Sequence, residues 1–400
     1  MTRTTIFDVI IVYSDRLASS ASRGSDGVLA PFPKGSSKAF YNIVYGYLLK
    51  TCQKYHLKAA FTTSSDVVGA GRCRSYWLFE NGKWISVQKP GYSKLIFDKF
   101  SPVSPRIKLL RDLLFSSRAI KPFNHPYVFN LFFDKQKTYN KLHNFSIPTV
   151  SIEKSTGQGV DKACRTLKKL VLRHAHQEDF SDEIVMKDRF GAGGRNVYKF
   201  KTDQTRQMAA TMLKNKYTSF VIQPFAKFNK GFSYQERLVS ADIRLIYLGK
   251  RIVQTYIRMA KVGDFRCNEH QGGVLKYISK NEVPQKVIAA SKQIVKLINT
   301  KTSLFALDFV ISNNGNVYFL EGNTGPGLDW NFAIKENEIE AQKLIRIIVR
   351  ELVRRIRVPV INIKKEVPKR IFNVPIIDDY VGLSEALILG QSAATPLIVQ

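Results

Sequence analysis

The stretch that most constrains this chain is LFALDFVISNNGNVYFLEGNTGPGLDW, residues 304–330. Two apolar runs flank Asn314-Gly315, a dipeptide that tolerates the positive backbone angles of a tight hairpin turn. With those two residues as the loop, Asn313 faces Asn316, Phe309 faces Leu320 and Asp308 faces Glu321. Side chains two apart on a strand share a face, so Asn323 joins Glu321 on the Asp308 side. Two carboxylates and an amide then converge. Directly opposed like charges destabilise a sheet, so compensation is required. A hard cation with oxygen ligands is the natural candidate, Mg²⁺ where phosphates share the site. A slipped register or a solvated face is the alternative.

The 400 residues are enough for two or three domains. An apolar fraction of 44% with 12% aromatics is that of a folded globular chain. The net charge of +30, from 62 basic and 32 acidic residues, favours polyanionic partners: nucleic acid, an anionic membrane surface, phosphorylated ligands or an acidic polypeptide. Cys52, Cys73, Cys164 and Cys267 show no CxxC spacing, which argues against a disulfide scaffold or zinc site and for idle thiols in a reducing compartment. The first residues lack the apolar run of a signal peptide, and no run reaches the length of a membrane span. A soluble cytoplasmic protein is expected.

Strands over 6–13 and 59–63, a hairpin around Asn81-Gly82 and a short strand over 95–97 predict a small α/β N-terminal domain, residues 1–125. Its helix, over 38–56, carries Phe40, Ile43, Val44, Tyr47 and Leu48 as one stripe. No catalytic constellation appears there, and His56, His125 and His143 are isolated. Asp134 reads as a helix N-cap, which puts Lys135 in a first turn suited to meeting an anion. Further on, strand 183–187 runs into Gly191-Ala192-Gly193-Gly194 and resumes at 196–200. Such a loop lets backbone N–H groups approach phosphate oxygens, within reach of Lys187. No Gly-Lys-Ser/Thr follows and no helix opens after the glycines, so it is neither a P-loop nor a dinucleotide fingerprint. A glycine-rich hairpin without a ligand is the alternative. A hairpin over 240–260 turns at Gly249-Lys250, and a polar loop over 263–273 holds Arg266 and Asn268. Beyond 341 the chain is strongly basic. Leu344, Ile345, Ile348, Leu352 and Ile356 nevertheless form an apolar stripe there, so the arginines read as a helix's solvated face, and no nucleic-acid-binding motif is present.

Lys135, Lys187 with its glycine loop, Gln223-Pro224-Phe225, Asp242-Ile243-Arg244, Arg266-Cys267-Asn268, Asp308 and Glu321-Gly322-Asn323 occur in the order seen in ATP-grasp enzymes. Over about 130–353 the chain resembles their RimK-type, glutamate-ligase-like branch. It departs from that branch at Asp188, where proline is usual, and in a longer connection between Phe225 and Asp242. The resemblance implies an α/β (α+β) ATP-grasp fold, in which two α+β subdomains over 126–357 clamp ATP. The lid spans about 150–225, and a tail of unknown role, with an edge strand over 371–377, covers 358–400. It further implies that Lys135 and Lys187 bind phosphates under the Gly191, Gly193 and Gly194 loop, and that Gln223, Pro224 and Phe225 form a hinge against adenine. Asp242 would approach the ribose. Arg266 and Asn268 would face the phosphates and the reacting carboxylate, with Lys187 sharing the catalytic work. Asp308, Glu321 and Asn323 would hold Mg²⁺, with Mn²⁺ as a substitute.

The activity implied is an ATP- and Mg²⁺-dependent carboxylate–amine ligase acting through an acyl phosphate. Amino acids, peptides and acidic polypeptides are the candidate substrates, and a homo-oligomer is compatible with the chain. The alternatives are a kinase for a polyanionic small molecule and a basic nucleic-acid-binding protein.

Overall fold

The computed structural model describes residues 3–357 apart from 37, 103, 301 and 329–333. The tail and its expected edge strand, and Trp330, lie outside the described residues.

Short apolar runs near the start are buried on both faces, the pattern of parallel strands. They form a sheet from β1 (Val9–Tyr13), β2 (Ala59–Thr63), the hairpin β3 (Tyr76–Glu80) and β4 (Lys83–Val87), and β5 (Leu95–Lys99). The order is Lys121–Pro122, β5, β1, β2, β3, β4, with the β5, β1 and β2 neighbours parallel. Asn81 and Gly82 both take positive φ, 49° and 78°, as a two-residue hairpin turn demands. Helix α1 (Tyr41–Lys54) buries Val44 and Leu48, but Ile43 is 53% exposed. Tyr45 and Leu49 occupy the buried stripe instead, so the expected helix holds and its expected face is rotated.

Helix α2 (Pro105–Leu114) precedes α3 (Pro126–Phe133) and α4 (Lys135–Leu142). Asp134 caps α4 as expected, its carboxylate accepting from the backbone N–H of Gln136 at 3.0 Å and of Lys137 at 3.3 Å. Beyond α5 (Gly157–Leu172), an antiparallel sheet joins β6 (Phe180–Asp188), β7 (Val197–Lys201) and, after α6 (Thr205–Lys214), β8 (Phe220–Ala226). Alternation along β6 turns Ile184 and Met186 toward α5 and α6, which leaves Val185 and Lys187 on the other face.

The third sheet is antiparallel, in the order β11 (Val274–Tyr277), β10 (Arg251–Met259), β9 (Ala241–Leu248), β12 (Leu304–Ile311), β13 (Val317–Asn323). Helix α7 (Gln285–Ile298) packs against one face, where Ile243, Leu245, Phe305 and Leu307 are buried. Helix α8 (Lys335–Arg357) packs against the other, pressing Leu344, Ile345, Ile348 and Leu352 onto Ile246, Leu248, Leu304 and Ala306. Arg350, Arg354 and Arg357 are exposed as expected, but Arg355 donates to the carbonyls of Phe123 and Thr302 and lies 4.1 Å from the Phe123 ring centroid. No described helix is long and apolar enough to cross a membrane.

The β12–β13 hairpin forms with two compensating irregularities. Near the turn Ile311 pairs with Val317 and Phe309 with Phe319, one residue from the expected register, because the Ser312 carbonyl accepts from the Gly315 N–H at 2.8 Å and closes a three-residue loop. The expected Phe309–Leu320 pair is therefore absent. A bulge at Leu320 then restores the count, and Asp308 faces Glu321 as expected. Gly322 follows because a Cβ there would lie 2.3 Å from the Phe132 ring of α3.

Candidate active site

One face of β9 carries Ile246 and Leu248 under α8, then Arg244 and Asp242 further along; β12 likewise passes from Leu304 and Ala306 to Asp308. The cleft begins where that face turns from apolar to charged. Asp308 is fully buried and accepts from Arg244 Nε at 2.6 Å, Arg244 Nη2 at 2.5 Å and Arg258 Nη2 at 2.9 Å. Asp242 accepts from Arg258 Nε at 2.8 Å and Nη2 at 2.9 Å, while Arg244 Nη1 donates to Tyr256 Oη at 3.1 Å. Two acids and two bases cancel. Burial opposes ionisation of Asp308, but Arg244 and Arg258 outweigh it and hold the carboxyl below its usual range. Burial pushes Asp242 up, against the pull of Arg258, and the Asp308 charge adds to the rise. Part of the compensation for the opposed carboxylates thus comes from arginines, a source the hairpin alone did not reveal.

Glu321 is in a different state. Its carboxylate is half-buried and receives one long contact, from Asn323 Nδ2 at 3.5 Å; the same nitrogen lies 3.5 Å from Asp308 Oδ2. Turning the amide presents the Asn323 oxygen to the same point. Of about four lone-pair directions on the Asp308 carboxylate, three receive arginine donors, which leaves one. The set therefore fits a hard cation, though not a complete shell. Among the described residues no group of three or more His, Cys, Asp or Glu is placed to hold a metal. Two carboxylates and an amide suit Mg²⁺ that arrives with phosphate oxygens of its own.

The opposite wall is the β6–β7–β8 sheet. Lys187 is the penultimate residue of β6, and burial brings its ammonium down to about 8, with Glu321 pulling it up and Lys135 pushing it further down. Lys135 Nζ donates to the Gly191 carbonyl at 2.5 Å, so α4 and the glycine loop are tied together. Arg189, beside that loop, grips the Asp134 cap through two bonds of 2.7 Å. At Gly194, where φ is +71°, a Cβ would lie 2.7 Å from Asn268 Oδ1. The glycine loop thus meets the 263–273 loop across the mouth.

In that second loop Asp264 holds Arg266 at 2.8 Å, and the bonds from Arg266 bring the Asp264 carboxyl down to about 2. The expected site residues line one cleft with a cavity volume of about 140 Å³, except Gly193, which with φ +70° shapes the loop, and Asn323, which lines an adjoining recess. Gln223, Pro224 and Phe225, expected as a hinge, are residues of the continuous strand β8, with Gln223 opposite Val185. Gln223 Nε2 donates to Thr149 Oγ1 at 2.7 Å. Apolar side chains of Val185, Phe225, Phe265, Val310 and Leu320 also line the cleft, a surface suited to a planar ring.

Sequence reasoning assigned no role to Arg244 or Arg258. Counting from Gly249-Lys250 pairs Asp242 with Ile257. A bulge at Val253 shifts the count by one and brings Arg258 opposite. The available signal was an arginine in each of two apolar strands, one of them two residues from Asp242.

A family model described as the RimK-like ATP-grasp domain matches residues 147–348. A probable alpha-L-glutamate ligase of Parasynechococcus marenigrum (strain WH8102) is 27% identical over 146 residues, 36% of this chain and 28% of that protein. Another of that description, from Legionella pneumophila (strain Corby), is 29% identical over 147 residues, 36% of this chain and 43% of that one. The match spans less than half the length of these relatives. Among solved structures, D-alanyl-alanine synthetase A from Vibrio cholerae has a TM-score of 0.52 at 14% identity, covering 88% of this chain and 99% of that chain. D-cycloserine synthetase DcsG has a TM-score of 0.51 at 13% identity, covering 86% and 99%. At such identity the likeness is one of fold.

Proposed function

This chain belongs to the RimK-like ATP-grasp family, and from that premise we propose that it is an ATP- and Mg²⁺-dependent carboxylate–amine ligase. One observation carries the reading: Asp308 and Glu321, with Asn323 beside them in an adjoining recess, face Lys187 and a glycine loop across a cleft with apolar walls. Polyphosphate between those walls would meet ammonium and backbone N–H groups on one side. Asp308, Glu321 and Asn323 would hold Mg²⁺, which when bound neutralises phosphate oxygens.

A substrate carboxylate oxygen bonds to the γ-phosphorus of ATP as the bond to the β–γ bridging oxygen breaks, giving acyl phosphate and ADP. The amine then bonds to the acyl carbon, phosphate leaves, and the nitrogen gives up a proton. The protein supplies position and charge rather than a nucleophile. Lys187 meets the phosphate charge, and Arg266, oriented by Asp264, faces the mouth where the acyl group forms. The Gly191–Gly194 loop, tied down by Lys135, keeps water from the acyl phosphate. Val185, Phe225 and Leu320 offer the adenine its apolar contacts.

The test is ADP release across panels of carboxylates and amines, with hydroxylamine as trap. Release that requires both substrates, together with a hydroxamate product, supports the ligase. Amine-independent transfer of phosphate to a hydroxyl would identify a kinase instead. Absence of any thermal stabilisation by MgATP would overturn the nucleotide site itself.

A further inference from the structure

A second recess opens where β5 meets α3 and the segment after β13. It shares Gly191 and Ala192 with the nucleotide cleft and reaches Asn323, and its cavity volume is about 170 Å³. Asp98, near the end of β5, lies on its wall and is 7% exposed. One oxygen, Oδ2, is 2.5 Å from Arg111 Nη2. The other, Oδ1, is the single buried side-chain nitrogen or oxygen among the described residues with no hydrogen-bond partner. A carboxylate oxygen accepts and cannot donate, so only a donor satisfies it. An orphan of this kind in an otherwise saturated interior points to something the site binds.

The rest of the wall is aromatic. The Phe133 ring stacks between Phe129, with centroids 5.7 Å apart, and Phe190, at 5.2 Å, the last belonging to the glycine loop. Arg111 lies 4.0 Å from the Phe129 centroid and is engaged by Asp98, so it offers no fork to an incoming carboxylate. Among the described lining residues the one lysine, Lys99, donates to the Pro326 carbonyl at 3.0 Å.

We propose that this recess is the amine subsite of the ligase, receiving the substrate's ammonium on Asp98 Oδ1 and its apolar body on the Phe129–Phe133–Phe190 stack. The substrate class is a compact organic ammonium with an apolar rather than an acidic substituent. The assignment rests on the ligase reading above. It is separable from that reading because binding in the recess requires no turnover.

The experiment uses the full chain saturated with Mg²⁺ and a non-hydrolysable ATP analogue, titrated with phenethylamine, 2-phenylethanol and glutamate by calorimetry. Phenethylamine should bind at least tenfold more tightly than the other two, since the bond to a charged partner is the stronger one. Asp98→Asn should weaken it at least tenfold while nucleotide affinity stays put. Ser101→Trp, at the exposed rim and away from the Asp98–Arg111 pair, should block it by filling the recess, and decides the matter if Asp98→Asn does not fold. Equal binding of amine and alcohol, or amine binding untouched by the substitutions, would overturn the subsite while leaving the ligase reading intact. Failure of the nucleotide analogue to bind would overturn the ligase reading first.

Discussion

On the five-stranded sheet Asp242, Arg258, Asp308 and Arg244 form a closed set, each carboxylate held by at least two guanidinium bonds. On the β6–β7–β8 sheet Lys187 has Glu321 across the cleft and Lys135 beside it, and burial, helped by Lys135 and opposed by Glu321, takes its ammonium down to about 8. Glu321 apart, the first wall is electrostatically complete before any ligand arrives. The second is left with surplus positive charge that a polyphosphate would balance. A site built this way keeps its geometry when empty and gains its favourable charge balance only when loaded, which is how preorganised sites act.

The largest effect should come from opening the closed set. Arg258→Met leaves Asp242 without its partner in a buried position, which should cost about 3–5 kcal/mol of folding stability, read from denaturant unfolding. A loss under about 1 kcal/mol would mean that water reaches the set and that the contrast between the walls is false. Glu321→Gln probes the other condition. With one long hydrogen bond to lose, it should fold as well as wild type, yet turnover should fall about 10³-fold in a steady-state ADP assay.

Lys187→Met sharpens the comparison through pH. The folded-state value of about 8 lies below the ordinary lysine value of 10.5, so the unfolded chain binds more protons between the two. Stability of wild type relative to the variant should therefore rise with pH across that window. Nucleotide affinity should move the other way, falling about tenfold as the ammonium is lost above pH 8, while the variant binds weakly at every pH. Parallel trends in the two measurements would remove Lys187 from the phosphate site. The smallest effect belongs to the partly exposed Asp264–Arg266 pair. Asp264→Asn should change stability by less than about 1 kcal/mol. Because the Asp264 carboxyl is brought down to about 2, the pair's contribution should persist above pH 4 and fade as pH falls through about 2.

The candidate site was legible where the cues are local. Asn314-Gly315 between alternating runs located the hairpin, the Asp134 cap located Lys135, and the glycines after β6 located the loop. The strand that carries Gln223 to Phe225 continues through Pro224, which sits opposite Ile184 within β8, a continuity that a proline in the run does not announce. Ile43 was placed in the buried stripe because five apolar residues on one turn pattern allow two faces, and the neighbouring β3–β4 hairpin chose between them: Gly46 lies against the Phe79 ring.

By itself the sequence determined which strands and helices form and which residues with phosphate- and metal-binding chemistry follow one another, since both depend on neighbours within a few positions. Tertiary structure alone decided that Arg244 and Arg258 neutralise Asp308 and that Asp242 takes Arg258. The placement of Arg258 depends on a bulge that shifts the β9–β10 register by one residue, whereas Arg244 meets Asp308 directly across the unbroken β9–β12 pairing. It also decided that one oxygen of Asp98 is buried without a donor beside an aromatic recess. A bulge, a buried charge set and an orphaned oxygen are outcomes of long-range packing, and alternation along a single strand carries no record of them.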